Sequence, residues 1–166
     1  MITLQQINKA INDTIKGALS CTNFSDVLIK SEDIQEALKK SADGSINSEI
    51  RPSIKVKLEQ SKIEKFNSRN KERTLTVRVY FFAKDRYKYK NDNMKMQDIL
   101  ENAFLEDIKV TDTFYMPILE DGVDFSVTDS VLQCSFDLYS VELISEEPGE
   151  PMEELKLDFN LHEIKD

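Results

Sequence analysis

The sequence predicts an α/β domain of the α+β kind, in which a mixed, mainly antiparallel sheet is flanked by helices. Two segments carry apolar residues at helical spacing, and several others alternate apolar and polar residues as strands do. Their order along the chain is helix, strands, helix, strands, which is typical of helices packed on a sheet. The 166 residues are enough for one such unit with a single core.

The N-terminal segment predicts an amphipathic helix. Its apolar residues recur every three or four positions: Leu4, Ile7, Ile11, Ile15 and Ala18. Thr3 and Gln6 have the spacing of a capping box, in which each side chain satisfies an amide of the first turn. A short buried strand from Val27 to Ile29 follows, and "SEDIQEALKK" then predicts a short helix capped by Ser31.

Two alternating runs predict a long antiparallel β-hairpin. The apolar faces of the two runs are Ile54, Val56 and Leu58, and Leu75, Val77, Val79 and Phe81. The polar segment "KFNSRNKER" between them predicts an exposed tip. Because Tyr80 and Phe82 make the second face of the later strand apolar too, we expect both faces of the sheet to be covered, by helices or by another subunit.

The segment "NDNMKMQDILENAFLED" predicts a second long helix, capped by Asp92 or Asn93. Its apolar side comprises Met94, Met96, Ile99, Leu100, Ala103 and Phe104. After it, "IKVTDTFYMPIL", "GVDFSVTD" and "SVLQCSFDLYSVELI" predict three strands.

Two prolines and a glycine among acidic residues follow the last strand and predict a break in regular structure. We therefore expect a single domain over residues 1–145 and an acidic linker with a C-terminal strand arm over residues 146–166. The apolar residues of the arm alternate with polar ones: Leu155, Leu157, Phe159 and Leu161. Such an arm can add itself to its own sheet or to the edge of a neighbour's sheet.

The charges are numerous and unevenly distributed along the chain. There are 22 basic and 31 acidic residues, and the net charge is −9. Basic residues are dense from Arg51 to Lys95, whereas acids dominate from Glu101 to Glu154. Opposite charges of this kind can align across an assembly interface. Since the sequence shows no membrane span or signal peptide, we expect the chain to stay in the cytoplasm.

The sequence predicts no catalytic, cofactor or metal site. With only four glycines, no phosphate-binding loop can be written, and the one histidine, His162, provides no base for a serine or cysteine nucleophile. The acidic "EDGVD" lacks the further ligands of a calcium loop and predicts a turn. Cys21 and Cys134 are expected to be buried free thiols.

The segment "FFAKDRYKYKNDN" admits two interpretations. Its tyrosines and basic residues have the composition of a surface that stacks bases and pairs phosphates. Amphipathic side chains at a strand end are also typical of contacts between proteins, and a net negative domain repels nucleic acid. We favour protein contact through Tyr87 and Tyr89.

Four segments resemble, in order and spacing, the tail terminator family of long-tailed bacteriophages that infect Gram-positive bacteria. These segments are "SEDIQE", "RPSIKVKLEQSKIEKFNSRNKERTLTVRVYFF", "NDNMKMQDILENAF" and "DGVDFSVTDSVLQCSFDLYSVELISEEPGEPMEELKLD". The family pattern has a proline before a strand, a basic hairpin tip, a helix, an acidic "DGV" turn and a closing "MEEL". The segment "EALKKSADGSINSEI" is longer than the family pattern at that position.

The resemblance implies a structural, non-enzymatic protein. Members of the family form a ring, usually hexameric, on the last layer of the tail tube, where they stop polymerisation and present a surface to the head connector. The implied partners are the tail tube protein, a head connector or completion protein and copies of the same chain, while DNA only passes through the ring. The implied location is the host cytoplasm during assembly and then the head-proximal end of the virion tail.

Within this resemblance, we predict that the hairpin tip contacts the tube through Arg69, Asn70, Lys71, Glu72 and Arg73. Tyr87 and Tyr89 are predicted to contact a neighbouring subunit, as is the arm with Leu155, Leu157, Phe159 and Leu161. Two alternatives remain at this stage: another tail-assembly or head-completion adaptor, and a nucleic-acid-binding accessory protein that uses "RYKYK".

Overall fold

A computed structural model describes residues 2–30 and 51–144. Within them the chain forms two helices, α1 (Leu4–Leu19) and α2 (Lys90–Ala103). The strands are β1 (Leu28–Lys30), β2 (Ser53–Lys65), β3 (Asn70–Phe82), β4 (Ile108–Thr111), β5 (Phe114–Met116), β6 (Asp124–Thr128) and β7 (Val131–Leu143).

Five of these strands form one sheet in the order β1-β2-β3-β7-β6. The β1–β2 pair is parallel and the other pairs are antiparallel, while β4 and β5 form a separate hairpin. The predicted α+β fold with a mainly antiparallel sheet is confirmed. The predicted short helix after Ser31 and the C-terminal arm lie outside the described residues, and the predicted domain boundary after residue 145 stays a prediction.

Helix α1 confirms the amphipathic pattern and its cap. Thr3 N donates to Gln6 Oε1 (2.9 Å), and Gln6 N donates to Thr3 Oγ1 (3.2 Å), so both halves of the capping box are present. Its inward face is Ile7, Ala10, Ile11, Ile15 and Leu19. Two residues depart from the prediction: Leu4 is 45% exposed at the start of the helix, and Ala18 is only half-buried.

The long β2–β3 hairpin is confirmed, and β3 is also paired with β7 along its full length. Residues opposite each other share a face, as in the pairs Val56↔Val79 and Val79↔Cys134. The face packed on the helices carries Leu75, Val77, Val79 and Phe81 from β3 and Leu132, Cys134, Phe136 and Leu138 from β7. An irregularity of β2 between Leu58 and Ser61 shifts its register.

The hairpin turn is shorter than the sequence suggested. Asn67 Oδ1 accepts hydrogen bonds from Arg69 N (2.9 Å) and Asn70 N (2.8 Å), which closes the chain within residues 66–69. The predicted tip ran to Arg73, but residues 70–73 are the first residues of β3.

Within the described residues the second face of the sheet is covered at one end only, and the coverage of the rest by another subunit stays a prediction. Phe82 is fully buried, with the Arg51 guanidinium 5.5 Å from its ring centroid. Further along this face the residues are polar, and Arg78 forms an ion pair with Glu59 at 3.2 Å. The middle of this face is therefore in contact with solvent.

Helix α2 begins earlier than predicted, and its inward side keeps the predicted Met96 and Leu100 but has Asn93 where Met94 was expected. Its N-cap is Tyr89, which makes no side-chain cap, so the prediction of Asp92 or Asn93 as the cap is wrong. Asn93, Met96 and Leu100 form the buried face, whereas Met94 is 61% exposed. Asn93 Nδ2 lies 3.4 Å from the Ser130 carbonyl oxygen in the turn before β7, a long hydrogen bond beside the fully buried Met96 and Leu100.

Two features of the C-terminal half were resolved only by the structure. The first of the three predicted strands is a hairpin of two short ones, β4 and β5. The β6–β7 connection is a two-residue turn in which Asp129 and Ser130 have φ of 49° and 69°. Positive φ at both positions is the geometry that joins twisted antiparallel strands directly.

A buried carboxylate attaches the start of α1 to the sheet. Glu142 Oε2 accepts a hydrogen bond from Ile2 N (3.0 Å) and lies 3.5 Å from Lys71 Nζ. Arg73 Nη1 lies 3.8 Å from Glu142 Oε1 and donates to Ile2 O (3.2 Å). The side chains of Arg73 and Glu142 are 8% and 5% exposed. We call Lys71, Arg73, Glu142 and the Ile2 backbone the carboxylate cluster.

The two cysteines have different environments. Cys134 is buried as predicted, and burial raises the pKa of its thiol to about 12. Cys21 is exposed, so that half of the prediction is wrong. It follows the end of α1 in a turn rather than lying in a strand.

We expect replacement of Glu142 by Ala to lower the free energy of unfolding by about 3 kcal/mol, because two cations of the carboxylate cluster would stay buried without their partner. The matched control is Glu64→Ala, which removes a surface ion pair with Lys62 (2.9 Å) and is expected to cost less than about 1 kcal/mol. Urea unfolding of the three proteins measures both values. Equal losses for the two variants would contradict the role given to the cluster.

We also expect the two thiols to react with Ellman's reagent at very different rates at pH 8. Cys21 is accessible, whereas the protonated and buried Cys134 requires an opening of the sheet. One thiol per chain should react rapidly, and the second should react at a rate that increases with urea concentration. If the Cys21→Ser variant shows no fast phase, the fast reaction belongs to Cys21. Two fast thiols in the native protein would refute this assignment.

Candidate interaction surfaces

The described residues contain no cluster of metal-binding side chains. Within residues 2–30 and 51–144, no group of three or more His, Cys, Asp or Glu side chains is placed to hold a metal ion. The acidic "EDGVD" forms a turn as predicted, with Gly122 N donating to Leu119 O (2.9 Å) and Gly122 at φ 76°. No helix in this part of the chain is long and apolar enough to cross a membrane.

The first surface is the hairpin end, residues 61–69, which projects beyond the helices. Every residue of it is exposed, including two large apolar ones, Ile63 (54%) and Phe66 (59%). Lys65 and Arg69 add positive charge beside Phe66. Apolar side chains with a basic surround on a projecting element are typical of a protein-binding surface.

The five residues predicted to contact the tube are not equivalent in the structure. Arg69 lies in the turn and is exposed, while Asn70 begins β3 and is half-buried. Lys71 and Arg73 belong to the carboxylate cluster on the helix-covered face. Glu72 lies on the opposite face and accepts a hydrogen bond from Tyr139 Oη (2.8 Å), which raises the pKa of that tyrosine.

Sequence reasoning placed Lys65 and Phe66 in the exposed tip without naming them as contact residues, and it missed Ile63. Ile63 was missed because an apolar residue in an alternating strand usually points to a core. The informative signal was the spacing of Asn67 and Asn70, since an asparagine side chain that caps its own turn places the turn before Asn70.

The second surface is the basic loop, residues 84–90, between β3 and α2. Asp85 Oδ1 accepts hydrogen bonds from Tyr87 N (2.8 Å) and Lys88 N (3.3 Å), and these bonds hold the pKa of Asp85 below its usual value. The Tyr87 side chain is 85% exposed on this fixed loop. Tyr89 is half-buried and packs on the core, so the two tyrosines predicted to contact a subunit face different environments.

The third surface is an apolar depression of about 420 Å³ between the end of α2 and the β5–β6 connection, which we call the acidic groove. Its lining includes Phe104, Leu105, Ile118, Val123 and Phe125, with Glu101 at the edge. Leu105 is 82% exposed, although it is a large apolar residue.

The outer wall of the acidic groove is attached to the sheet. Leu119 N donates to Asp137 O (2.9 Å), and Tyr139 N donates to Pro117 O (3.1 Å). An isolated bridge between Ile118 and Leu138 completes this attachment to the edge of β7. The shape of the groove is therefore set by backbone hydrogen bonds.

The basic loop and the acidic groove carry opposite charges. The loop has four basic residues and one acid, whereas the segment 101–124, which supplies every lining residue of the groove except Phe125, has seven acids and one lysine, Lys109. That lysine forms an ion pair with Asp112 at 2.9 Å. Helix α2, which is 14 residues long, separates the two surfaces by roughly 21 Å along its axis.

The arm residues Leu155, Leu157, Phe159 and Leu161 lie outside the described residues, and their contact with a subunit stays a prediction. A comparison with curated proteins finds no match. Residues 6–150 match the family described as "Phage tail terminator protein", which is most of the chain and includes the three surfaces. The chain belongs to this phage tail terminator family and is a structural component of tail assembly.

Proposed function

We propose that the protein caps the tail tube of a phage or phage-like particle, ends tube polymerisation and provides the surface to which the head is joined. The observation that carries the proposal is the family match over residues 6–150. The rigid sheet and its separate exposed surfaces support this role, because a cap must bind different partners on different sides.

The physical basis of capping is a difference between two surfaces. When a tube subunit binds the end of the tube, it exposes a new surface identical to the one to which it bound. The next subunit can therefore bind in the same way, and the tube continues to grow. A cap binds the last tube layer through one surface and offers another surface that the tube protein does not recognise. We propose that the hairpin end makes the tube contact, since it is exposed, partly apolar and basic, and lies far from the loop at the other end of β3.

The charge of the protein suits a ring through which DNA passes. A net charge of −9 disfavours adhesion to the phosphate backbone, and the basic residues are too few to reverse it. In this proposal the ring is built from copies of the same chain, as a hexamer at the head-proximal end of the tail, and the C-terminal arm contacts a neighbouring copy.

Inactivation of the gene in a particle-producing strain tests the proposal directly. We expect electron microscopy to show overlong tails of variable length without heads, because tube growth would lack its stop. Complementation with the intact gene should restore a uniform length. Tails of normal length that lack heads would assign the protein to head joining alone, and unchanged particles would refute both roles.

We expect the double substitution Lys65→Glu and Arg69→Glu to abolish capping in the same complementation assay without unfolding the protein, since both residues are exposed. Lys71 and Arg73 are left unchanged because they stabilise the fold through Glu142. The matched control, Lys9→Glu with Lys16→Glu on the exposed side of α1, makes the same change in net charge and should cap normally. Normal capping by the hairpin variant would exclude the hairpin end as the tube contact.

A further inference from the structure

The charges at the two ends of α2 are arranged against its dipole. The N-terminal end of a helix favours acids and the C-terminal end favours bases, by about 0.3–1 kcal/mol each. Here Lys84, Arg86, Lys88 and Lys90 surround the N-terminal end, where Asp92 is the only acid of the first turn. Glu101, Glu106 and Asp107 surround the C-terminal end, whose last turn has no basic residue.

This arrangement destabilises an isolated subunit, and the described residues offer little compensation. Within residues 51–144, Lys84, Arg86, Lys88 and Lys90 form no salt bridge with an acid; Asp85 attracts Lys88, but its carboxylate accepts backbone hydrogen bonds. Glu101 receives a hydrogen bond from the neutral side chain of Gln97 (2.8 Å). Both groups of charges would gain stability if the basic end of one α2 met the acidic end of another.

The apolar groups at the two ends have complementary shapes. At the basic end, Tyr87 projects from a loop whose backbone is fixed by Asp85. At the acidic end, the groove is a preformed depression with the exposed Leu105 at its edge. An aromatic side chain that enters such a depression removes roughly 150–250 Å² of its surface from water. A tyrosine also keeps its hydroxyl at the rim, where water or an acid accepts its hydrogen bond.

We infer that the acidic groove of one subunit receives Tyr87 and the basic loop of a second copy of the same chain. This inference rests on the proposed ring and identifies its subunit contact. The two surfaces are different and lie at opposite ends of one helix, so the contact is heterologous and repeats from copy to copy until a ring closes. Surrounding the apolar contact with opposite charges speeds encounter and fixes its orientation.

Charge reversal distinguishes this head-to-tail contact from other forms of association. The loop variant carries Lys84→Glu and Lys88→Glu, and the groove variant carries Glu101→Lys and Glu120→Lys, all at exposed positions. We expect each variant alone to self-associate at least tenfold more weakly than the native protein in sedimentation velocity. Mixing the two should restore association, because in an alternating assembly each reversed loop meets a reversed groove and each native loop meets a native groove. A chain that carries all four substitutions should recover association.

The contact itself is located by zero-length cross-linking of lysine to carboxylate in purified full-length protein. A mixture of ¹⁴N- and ¹⁵N-labelled chains identifies peptides joined between subunits. We expect mixed-isotope links between residues 84–90 and residues 101–124, and Tyr87→Ala should reduce their yield at least tenfold. The matched control Tyr115→Ala removes another exposed tyrosine (50%) and should leave the yield unchanged.

The outcomes separate the contact from the capping role. Loop-to-groove links between isotopes, together with recovery by the fourfold variant, establish the contact even if gene inactivation leaves tails unchanged. Overturning results are an absence of such links in the native protein at high concentration, links that join other segments, or weak association of the fourfold variant. In those cases the capping role still stands on the tail-length assay.

Discussion

The structure depends on a mismatch between the lengths of its strands and helices. Strands β2, β3 and β7 each have 13 residues and extend roughly 43 Å, whereas α1 and α2 have 16 and 14 residues and span roughly 24 and 21 Å. Helices of that length cover only part of such a sheet. The remainder of the β2–β3 hairpin must lie outside the core, which explains why Ser61–Lys65 are exposed although they are paired with β3.

Paired polar side chains lie at the boundary between the part of the sheet that the helices cover and the part that they leave uncovered. Arg73 and Glu142 lie on the helix-covered face just beyond Leu75, where α1 begins. A side chain at this boundary meets two conditions. An apolar side chain would remain partly exposed to solvent, and an unpaired charge would be buried at a cost of several kcal/mol. The carboxylate cluster meets both conditions because Glu142 binds the Ile2 backbone and two cations at once. It also fixes the point from which the hairpin end projects.

Sequence reasoning predicted the elements whose pattern is set by burial on one side. The face of α1, its capping box and the alternation of β3 were predicted for that reason. It failed where a polar residue takes a place that the apolar pattern does not indicate: Asn93 is buried on α2 while Met94 is exposed, and the Asn67 side chain closes the hairpin turn early. For the surfaces, the charge segregation and Tyr87 were visible in the sequence. The acidic groove was not, since residues 104 and 118–125 are brought together only by the edge of β7.

Helix α2 joins this fold to assembly. Its buried face, which comprises Asn93, Met96 and Leu100, holds the helix on the sheet. The charged groups at its two ends therefore keep their unfavourable positions relative to the helix dipole. Each charge at the unfavourable end of the dipole lowers the free energy of unfolding by at most about 1 kcal/mol. A well-packed core is stable enough to tolerate a loss of that size. Apolar surface that is removed from water contributes roughly 25 cal/mol per Å² to binding. Burial of an aromatic ring and a leucine against apolar groups therefore stabilises a contact by more than any one of these charges. In the subunit contact that we propose, the apolar burial supplies the affinity, while the charges select the one orientation in which a basic loop meets an acidic groove.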